Sequence, residues 1–297
     1  MTGGPAIAVV VPHLEQPEAL ERCLAAIRAD AVQPAEIVVV DNGSAALPEA
    51  VCARHGATLL SEPLPGPGPA RNRGVAAASA EVIAFVDADC LPRPGWLAAV
   101  RATFADGYGG VVGGDVRVVP DAPRRPTLVE AYEAVHAFRM DRYIAREGFT
   151  GAGNMAARRD TIVEVGPFAG IGVAEDRDWG RRATAMGVPL RFVPAMRVDH
   201  PARPSMADLA RKWDRQIAHD RAEGAGALRW WLKAAALPLS PLASLPEIAT
   251  TDRLAGPRAR AACAAGLVLI RLHRARRMAE LGLGADPARL AATWRAA

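Results

Sequence analysis

Two aspartates one residue apart close an apolar run at EVIAFVDADC, residues 81–90. Crowded carboxylates repel, and one is driven to hold its proton unless a cation compensates them. A divalent ion is the natural compensator. Oxygen ligands of this kind suit Mg²⁺ or Mn²⁺, which take one or two protein carboxylates and complete their shells with water and substrate phosphate. If the chain stays extended, alternation sends Asp87 and Asp89 to the same side, facing one ligand. A D-x-D also arises by chance at a solvated strand end, and Asp176-Arg177-Asp178 is a second example in this sequence. What distinguishes the first is its position directly after five apolar residues, Val82 to Val86.

The elements that would position this pair alternate regularly. AIAVVVP and EIVVVDNGS are β-branched runs of the kind buried on both sheet faces, and between them Leu20, Cys23, Leu24 and Ile27 have helical spacing. ATLLSEP reads as a third strand, GPARNRGVAAAS as a helix and EVIAFVD as a fourth strand. Strand and helix in alternation predict an α/β fold, a Rossmann-like, mostly parallel central sheet flanked by helices. Ligands in such sheets bind beyond the carboxyl ends of the strands. Those ends are Pro12-His13, Asp41 to Ser44, Glu62-Pro63 and Asp87 to Asp89.

Five blocks in order carry a resemblance: VVVPHLEQPEALERCL, IVVVDNGS, GPGPARNRGVAAASAEVIAFVDADC, GAGNMAARRD and GVAEDRDWGRRA. Together, over roughly residues 6–220, they resemble the family 2 glycosyltransferases, which use nucleotide-sugar donors on the GT-A fold. The resemblance implies that Pro12 and Asp41 line the nucleoside pocket and that Arg71, Asn72 and Gly74 belong to a helix closing over the nucleotide. A solvated helix position is the other reading of Arg71. The resemblance further implies that Asp87 contacts the ribose or supports a metal, and that Asp89 binds the metal bridging the donor diphosphate. Gly151 and Gly153 would let backbone approach the sugar, with Asn154, ahead of a helical stretch, bonding sugar or acceptor. Glu175 and Asp176 start a helix, where acids are favoured on structural grounds alone; the resemblance implies that Glu175 contacts the sugar or acceptor and that the aspartate of the pair, here Asp176, is the general base. His200, closing what reads as a strand pair over VPLRFVPAMRVDH, matches a third metal ligand in many relatives; a surface histidine before proline is the alternative. The chemistry implied is direct displacement at the anomeric carbon with inversion, Asp176 taking the acceptor proton.

Composition sets the frame. The chain has 297 residues, about half hydrophobic, with a formal net charge of +4. That suffices for one large domain and an appendage, expected at 1–225 and 226–297. Cys23, Cys52, Cys90 and Cys263 form no CxxC pair, so a reducing cytoplasm is expected. The N-terminus lacks the basic segment of a secretory signal. Arg211 and Arg215, four apart on one helix face, could clamp a diphosphate or an anionic acceptor, or be a solvated basic face.

The C-terminal helical extension carries two tryptophans, Trp230 and Trp231, among apolar residues interrupted by Pro238, Pro241 and Pro246, then a short apolar core flanked by arginines. Neither piece suits a straight membrane span. Three readings stay open: a helix lying in the inner membrane interface, a hairpin that packs on the enzyme or forms a dimer contact, or a true membrane hairpin. The expected partners are a nucleotide-sugar donor, a UDP-sugar, and a glycan or lipid-linked acceptor. Alternatives are a nucleotidyltransferase, disfavoured by the absence of a glycine-rich turn after the first strand, and a non-catalytic nucleotide-sugar binding protein. No G-x-G-x-x-G follows that strand, and no interleaved aromatic and basic pattern points to nucleic acid.

Overall fold

The computed structural model of the protein describes residues 4–171, 173–222, 224 and 226–286. The last eleven residues of the expected extension, 287–297, lie outside the described residues. The described parts of Met1–Arg117 and Phe138–His200 form one compact unit, and those of Val118–Ala137 and Pro201–Ala297 form another. The sequence reading divides the chain once, at residue 225; these units divide it on either side of 118–137 and again after His200.

The first unit holds β1 (Ile7–His13), α1 (Pro17–Arg28), β2 (Glu36–Asp41), α2 (Glu49–Arg54), β3 (Thr58–Ser61), α3 (Pro67–Ala77), β4 (Val82–Val86), β5 (Leu91–Pro92), α4 (Trp96–Ala105) and β6 (Val111–Val118). After α5 (Leu128–His136), a helix of the second unit, it resumes with α6 (Met140–Glu147), β7 (Asn154–Arg158), α7 (Arg159–Val165), α8 (Glu175–Ala185) and β8 (Leu190–His200). The strands lie in the order β3-β2-β1-β4-β7-β6-β8-β5. The first four are parallel, whereas β7 runs antiparallel to β4 and β6, and β5 antiparallel to β8. The sheet is therefore mixed, with the parallel half read from the sequence at one side.

Alternation within the strands builds two cores. Val9 and Val11 of β1 and Val82, Ala84 and Val86 of β4 face Leu20, Cys23, Leu24, Trp96 and Phe104. Ala8, Val10, Ile83 and Phe85 face the other way, onto Ala70, Val75, Phe168 and Trp179. Burial on both sides is what selects β-branched runs here. The register pairs His13 with Asp41, so the polar strand ends are level with one another.

Three expectations need correction. Asn154 opens a strand rather than preceding a helix, because residues 154–158 pair with β4 across Val86↔Asn154 through Val82↔Arg158. Residues 190–200 are one strand, not a pair. Asp87 and Asp89 are not separated by an extended residue: Cys90 N–H donates to Asp87 C=O at 3.0 Å, closing a turn directly after β4.

The second unit is helical beyond β6: α5, α9 (Met206–Ala222), α10 (Ala227–Ala236), α11 (Pro241–Thr250) and α12 (Gly256–Gly282). Thr127 caps α5 with a reciprocal Glu130 bond, the capping box. Pro241 occupies the start of α11, where no N–H is needed, and Pro246 lies inside that short helix. Among the described residues no helix is long and apolar enough to cross a membrane.

Candidate active site

The turn after β4 sends its two carboxylates to different partners. Asp87 Oδ1 accepts from Arg71 Nη2 at 2.7 Å, and the same guanidinium donates through Nη1 to Glu175 Oε1 at 2.9 Å. Arg71 is only 3% exposed, so it ties α3, the D-x-D turn and the start of α8 together from inside. Burial alone would lower its pKa, but the charges of Asp87 and Glu175 outweigh burial and raise it. The solvated reading of Arg71 is thereby excluded. Gly153 makes room for this arrangement, since a Cβ there would stand 2.4 Å from Asp87 Oδ2.

Asp89 turns instead toward the end of β8, where its Oδ2 lies 3.5 Å from His200 Nε2. Two ligand atoms each about 2.1 Å from one ion stand about 3 to 3.5 Å apart, so this carboxylate and imidazole fit a shared divalent cation. Asp89, Cys90 and His200 present ligand atoms within 4.8 Å of one another. Cys90 is buried, and burial, then Asp87 and Asp89, push its thiol well above its usual range. Asp89 and His200 offer an oxygen and a nitrogen donor, which suit Mn²⁺ or Mg²⁺ better than the soft sulfur of Cys90 does. Burial also raises Asp89, with Asp87 adding to the effect and His200 opposing it, which is the imbalance a cation would relieve. Phe138 lies 4.5 Å from the His200 ring, centroid to centroid, and holds its backbone at φ +49°. It is a non-glycine residue in the left-handed region, supporting an imidazole at the site. No sequence pattern marks Phe138; only its conformation does.

Asp176 stands apart from the cation pair. It is the second residue of α8; its Oδ1 accepts from Arg177 N–H at 2.7 Å, and a Cβ on Gly151 would meet its Oδ2 at 3.6 Å. Burial, followed by repulsion from Glu175 and against the pull of Arg71, raises it to about 6. A carboxylate with that pKa can take a proton near neutrality and release it again.

Other expected site residues make hydrogen bonds within the protein. Asp41 is buried, its oxygens accepting from His13 Nδ1, from the Ser44 hydroxyl and from the backbone N–H groups of Gly43 and Ser44. Burial would raise its pKa, but those bonds prevail and hold it below the usual carboxylate range. His13 Nε2 accepts from Gln16 N–H, which leaves its proton on Nδ1 for Asp41. Pro12, half-buried, sits beside this pair at the end of β1. Asn72 is committed to Phe168, donating to its C=O and accepting from its N–H. Asn154 is fully buried, accepting from Trp96 Nε1 and donating to the carbonyls of Asp115 and Met196. The bond from Trp96 to Asn154 stitches α4 to the sheet.

This geometry has known counterparts. Residues 8–166, more than half of the chain, match the family described as Glycosyl transferase family 2. The chain belongs to that family, and it is a glycosyltransferase. It is 29% identical over 209 residues to Glycosyltransferase AglE of Haloferax volcanii, covering 67% of this chain and 68% of that one. It is 31% identical over 227 residues to the pre-mycofactocin glycosyltransferase of Mycobacterium tuberculosis, covering 69% of this chain and 45% of that protein. Among solved structures it is similar to glucosyl-3-phosphoglycerate synthase of Mycobacterium tuberculosis in complex with Mn²⁺, UDP-glucose and phosphoglyceric acid, at 25% identity and TM-score 0.52 over 70% of this chain and 76% of that one. The same synthase has been solved with Mg²⁺ and UDP, and that structure matches with a TM-score of 0.51. The family match disposes of the nucleotidyltransferase alternative.

Proposed function

We propose that this family member transfers a sugar from a UDP-sugar or related nucleotide sugar to an acceptor hydroxyl with inversion, using Mn²⁺ or Mg²⁺ held by Asp89 and His200. The observation that carries the reading is the division of labour among the carboxylates: Asp89 faces an imidazole at 3.5 Å, while Asp176, raised to about 6, lies on another element. A divalent ion bound there would supply Lewis acidity, neutralising charge on the departing diphosphate. Asp176 takes the proton of the attacking hydroxyl, and Arg71 fixes Asp87 and Glu175 so that α8 presents Asp176 at a set place. Attack opposite the leaving group inverts the anomeric centre. Support for the donor comes from the similar synthase, which was solved with Mn²⁺ and UDP-glucose.

The finer reading is a role in cell-envelope or lipid-linked glycan synthesis, with the protein peripheral on the inner face of the membrane. It is favoured by Leu228, Leu232, Leu239 and Leu242, all more than 60% exposed on or beside α10 and α11, next to the half-exposed Trp231.

Thermal unfolding with UDP-sugars, with and without Mn²⁺, tests the donor and metal assignments. Mn²⁺ is expected to raise the Tm and to tighten donor binding. Asp89→Asn and His200→Ala should each weaken Mn²⁺ binding measured by calorimetry by at least about tenfold. Unchanged Mn²⁺ affinity in both variants would sink the metal assignment.

A further inference from the structure

The strand order puts a topological switch at β1: the chain winds from β1 through β2 to β3 on one side and returns to β4 on the other. Ligands bind in the crevice beyond the carboxyl ends of the strands at such a switch. Asp87 and Asp89 follow β4. Beyond β1 and β2 stand two loops, residues 14–16 and 42–48, and these are clasped together. Glu15 N–H donates to Ser44 Oγ at 2.8 Å, and Glu15 Oε1 accepts from Ala45 N–H at 2.6 Å. Ser44 carries the connection inward, its hydroxyl donating to Asp41 Oδ1 at 2.6 Å and its N–H to Asp41 Oδ2 at 2.9 Å. Asp41 Oδ1 also accepts from His13 Nδ1 at 2.9 Å, and Asn42 N–H donates to His13 C=O at 2.8 Å. Glu15, Ser44, Asp41 and His13 thus close a ring across the ends of β1 and β2.

Glu15 makes these bonds from a strained backbone. Its φ is +54°, and among the described residues only Phe138 is another non-glycine residue in the left-handed region. Phe138 lies against the His200 ring, so both strained positions border the candidate site. Such conformations persist where their surroundings hold them, and they collect at ligand sites. Glycine would adopt this φ without strain, but it has no carboxylate to accept from Ala45. The two Glu15 bonds lie at the exposed surface, outside both cores of the first unit. They order two loops rather than hold the fold.

We propose that Glu15 and Ser44 are positioning residues for the donor: their clasp fixes the loops after β1 and β2 so that the slot for the donor nucleoside is formed before the nucleoside arrives. Loops ordered in advance spare the binding step the entropy of fixing them. Leu14, between the anchored His13 and Glu15, is left half-exposed, an apolar side chain that a flat base can cover. The inference rests on the reading of the donor as a nucleotide sugar and is independent of the assignments of Asp89, His200 and Asp176.

The test uses the full chain with Mn²⁺ present. Calorimetry gives the affinities for UDP, GDP and pyrophosphate in the parent, in Glu15→Ala and Ser44→Ala, and in Glu15→Gln and Ser44→Thr, which keep the accepting oxygen and the hydroxyl. The two alanine variants should bind the preferred nucleotide about three- to tenfold more weakly, the loss expected of one net hydrogen bond, with pyrophosphate bound as in the parent. Glu15→Gln and Ser44→Thr should recover most of the nucleotide affinity. In steady-state transfer the loss should fall on KM for the donor rather than on kcat. Parent-like nucleotide binding in both alanine variants overturns the proposal. So does an equal loss for nucleotide and pyrophosphate, or a loss in kcat alone, since either would mark a general structural role. Should Ser44→Ala fold poorly, the comparison of Glu15→Ala with Glu15→Gln, at an exposed position, decides alone. A parent that binds pyrophosphate but neither nucleotide sinks the nucleotide-sugar reading itself and this inference with it, an outcome distinct from a nucleotide-binding parent with unaffected variants.

Discussion

Asp176 and Arg71 show how individual side chains acquire roles from their surroundings. Asp176 acts as a base only when ionised, so its raised pKa of about 6 sets an acid limb. We expect kcat/KM to fall below pH 6 and to level above it, and Asp176→Asn to lose transfer by about 10²- to 10⁴-fold while retaining donor binding. Persistence of that limb in the variant would remove the base assignment. Stability should move the other way. The folded chain holds this proton more tightly than an unfolded carboxyl of ordinary pKa 3.8, so the contribution is fully present below that value and is lost as pH rises through about 6. Asp176→Asn should therefore unfold at a higher temperature than the parent at pH 8 and at nearly the same temperature at pH 4. Arg71→Met tests the opposite case. It strands Asp87 and Glu175, and it should cost about 1–3 kcal/mol in urea unfolding. A variant as stable as the parent would mean that the bridge contributes nothing.

Elements place these residues, and close approach is their main device. A Cβ on Gly74 would stand 2.4 Å from Val10 Cγ1, so α3 lies against β1 only because position 74 has no side chain. Gly74→Ala should destabilise by about 1–3 kcal/mol through overpacking, read as a lower urea midpoint with an unchanged slope. Equal midpoints would show that α3 can move away freely. The four parallel strands were legible from their β-branched runs, and the acidic start of α8 from Glu175 and Asp176. The stretch Asn154–Arg158 was not: methionine, alanine and arginine suit a helix, and only pairing with β4 and β6 makes it a strand. For the same reason the site was half legible. Asp89 stood out by its neighbours in sequence, whereas the Arg71 bridge from Asp87 to Glu175 joins three elements far apart along the chain. The bonds of Asn72 to Phe168 and of Asn154 to Trp96 were not legible, because a polar residue in a glycine-rich block looks the same whether it meets substrate or backbone.

The second unit carries an apolar surface on and beside α10 and α11. Trp230 is buried and its Nε1 donates to Met278 C=O at 2.8 Å, so one tryptophan of the pair anchors α10 on α12. Trp231 is 40% exposed, and Leu232, Leu239 and Leu242 are 62%, 70% and 67% exposed. Leucines this exposed, beside a half-exposed indole and with Arg229 and Lys233 on the same helix, suit the boundary between headgroups and acyl chains, where burial of apolar area and attraction to anionic lipid add. Contact with a second copy of the chain would also cover them. Replacing Leu232, Leu239 and Leu242 together by glutamate separates the two. On the membrane reading, the parent floats with vesicles containing anionic lipid, the triple variant stays at the bottom of the gradient, and both sediment alike in the absence of lipid. A parent that ignores vesicles but sediments as a dimer, with a monomeric variant, would assign the leucines to self-association and withdraw the membrane from the proposed function.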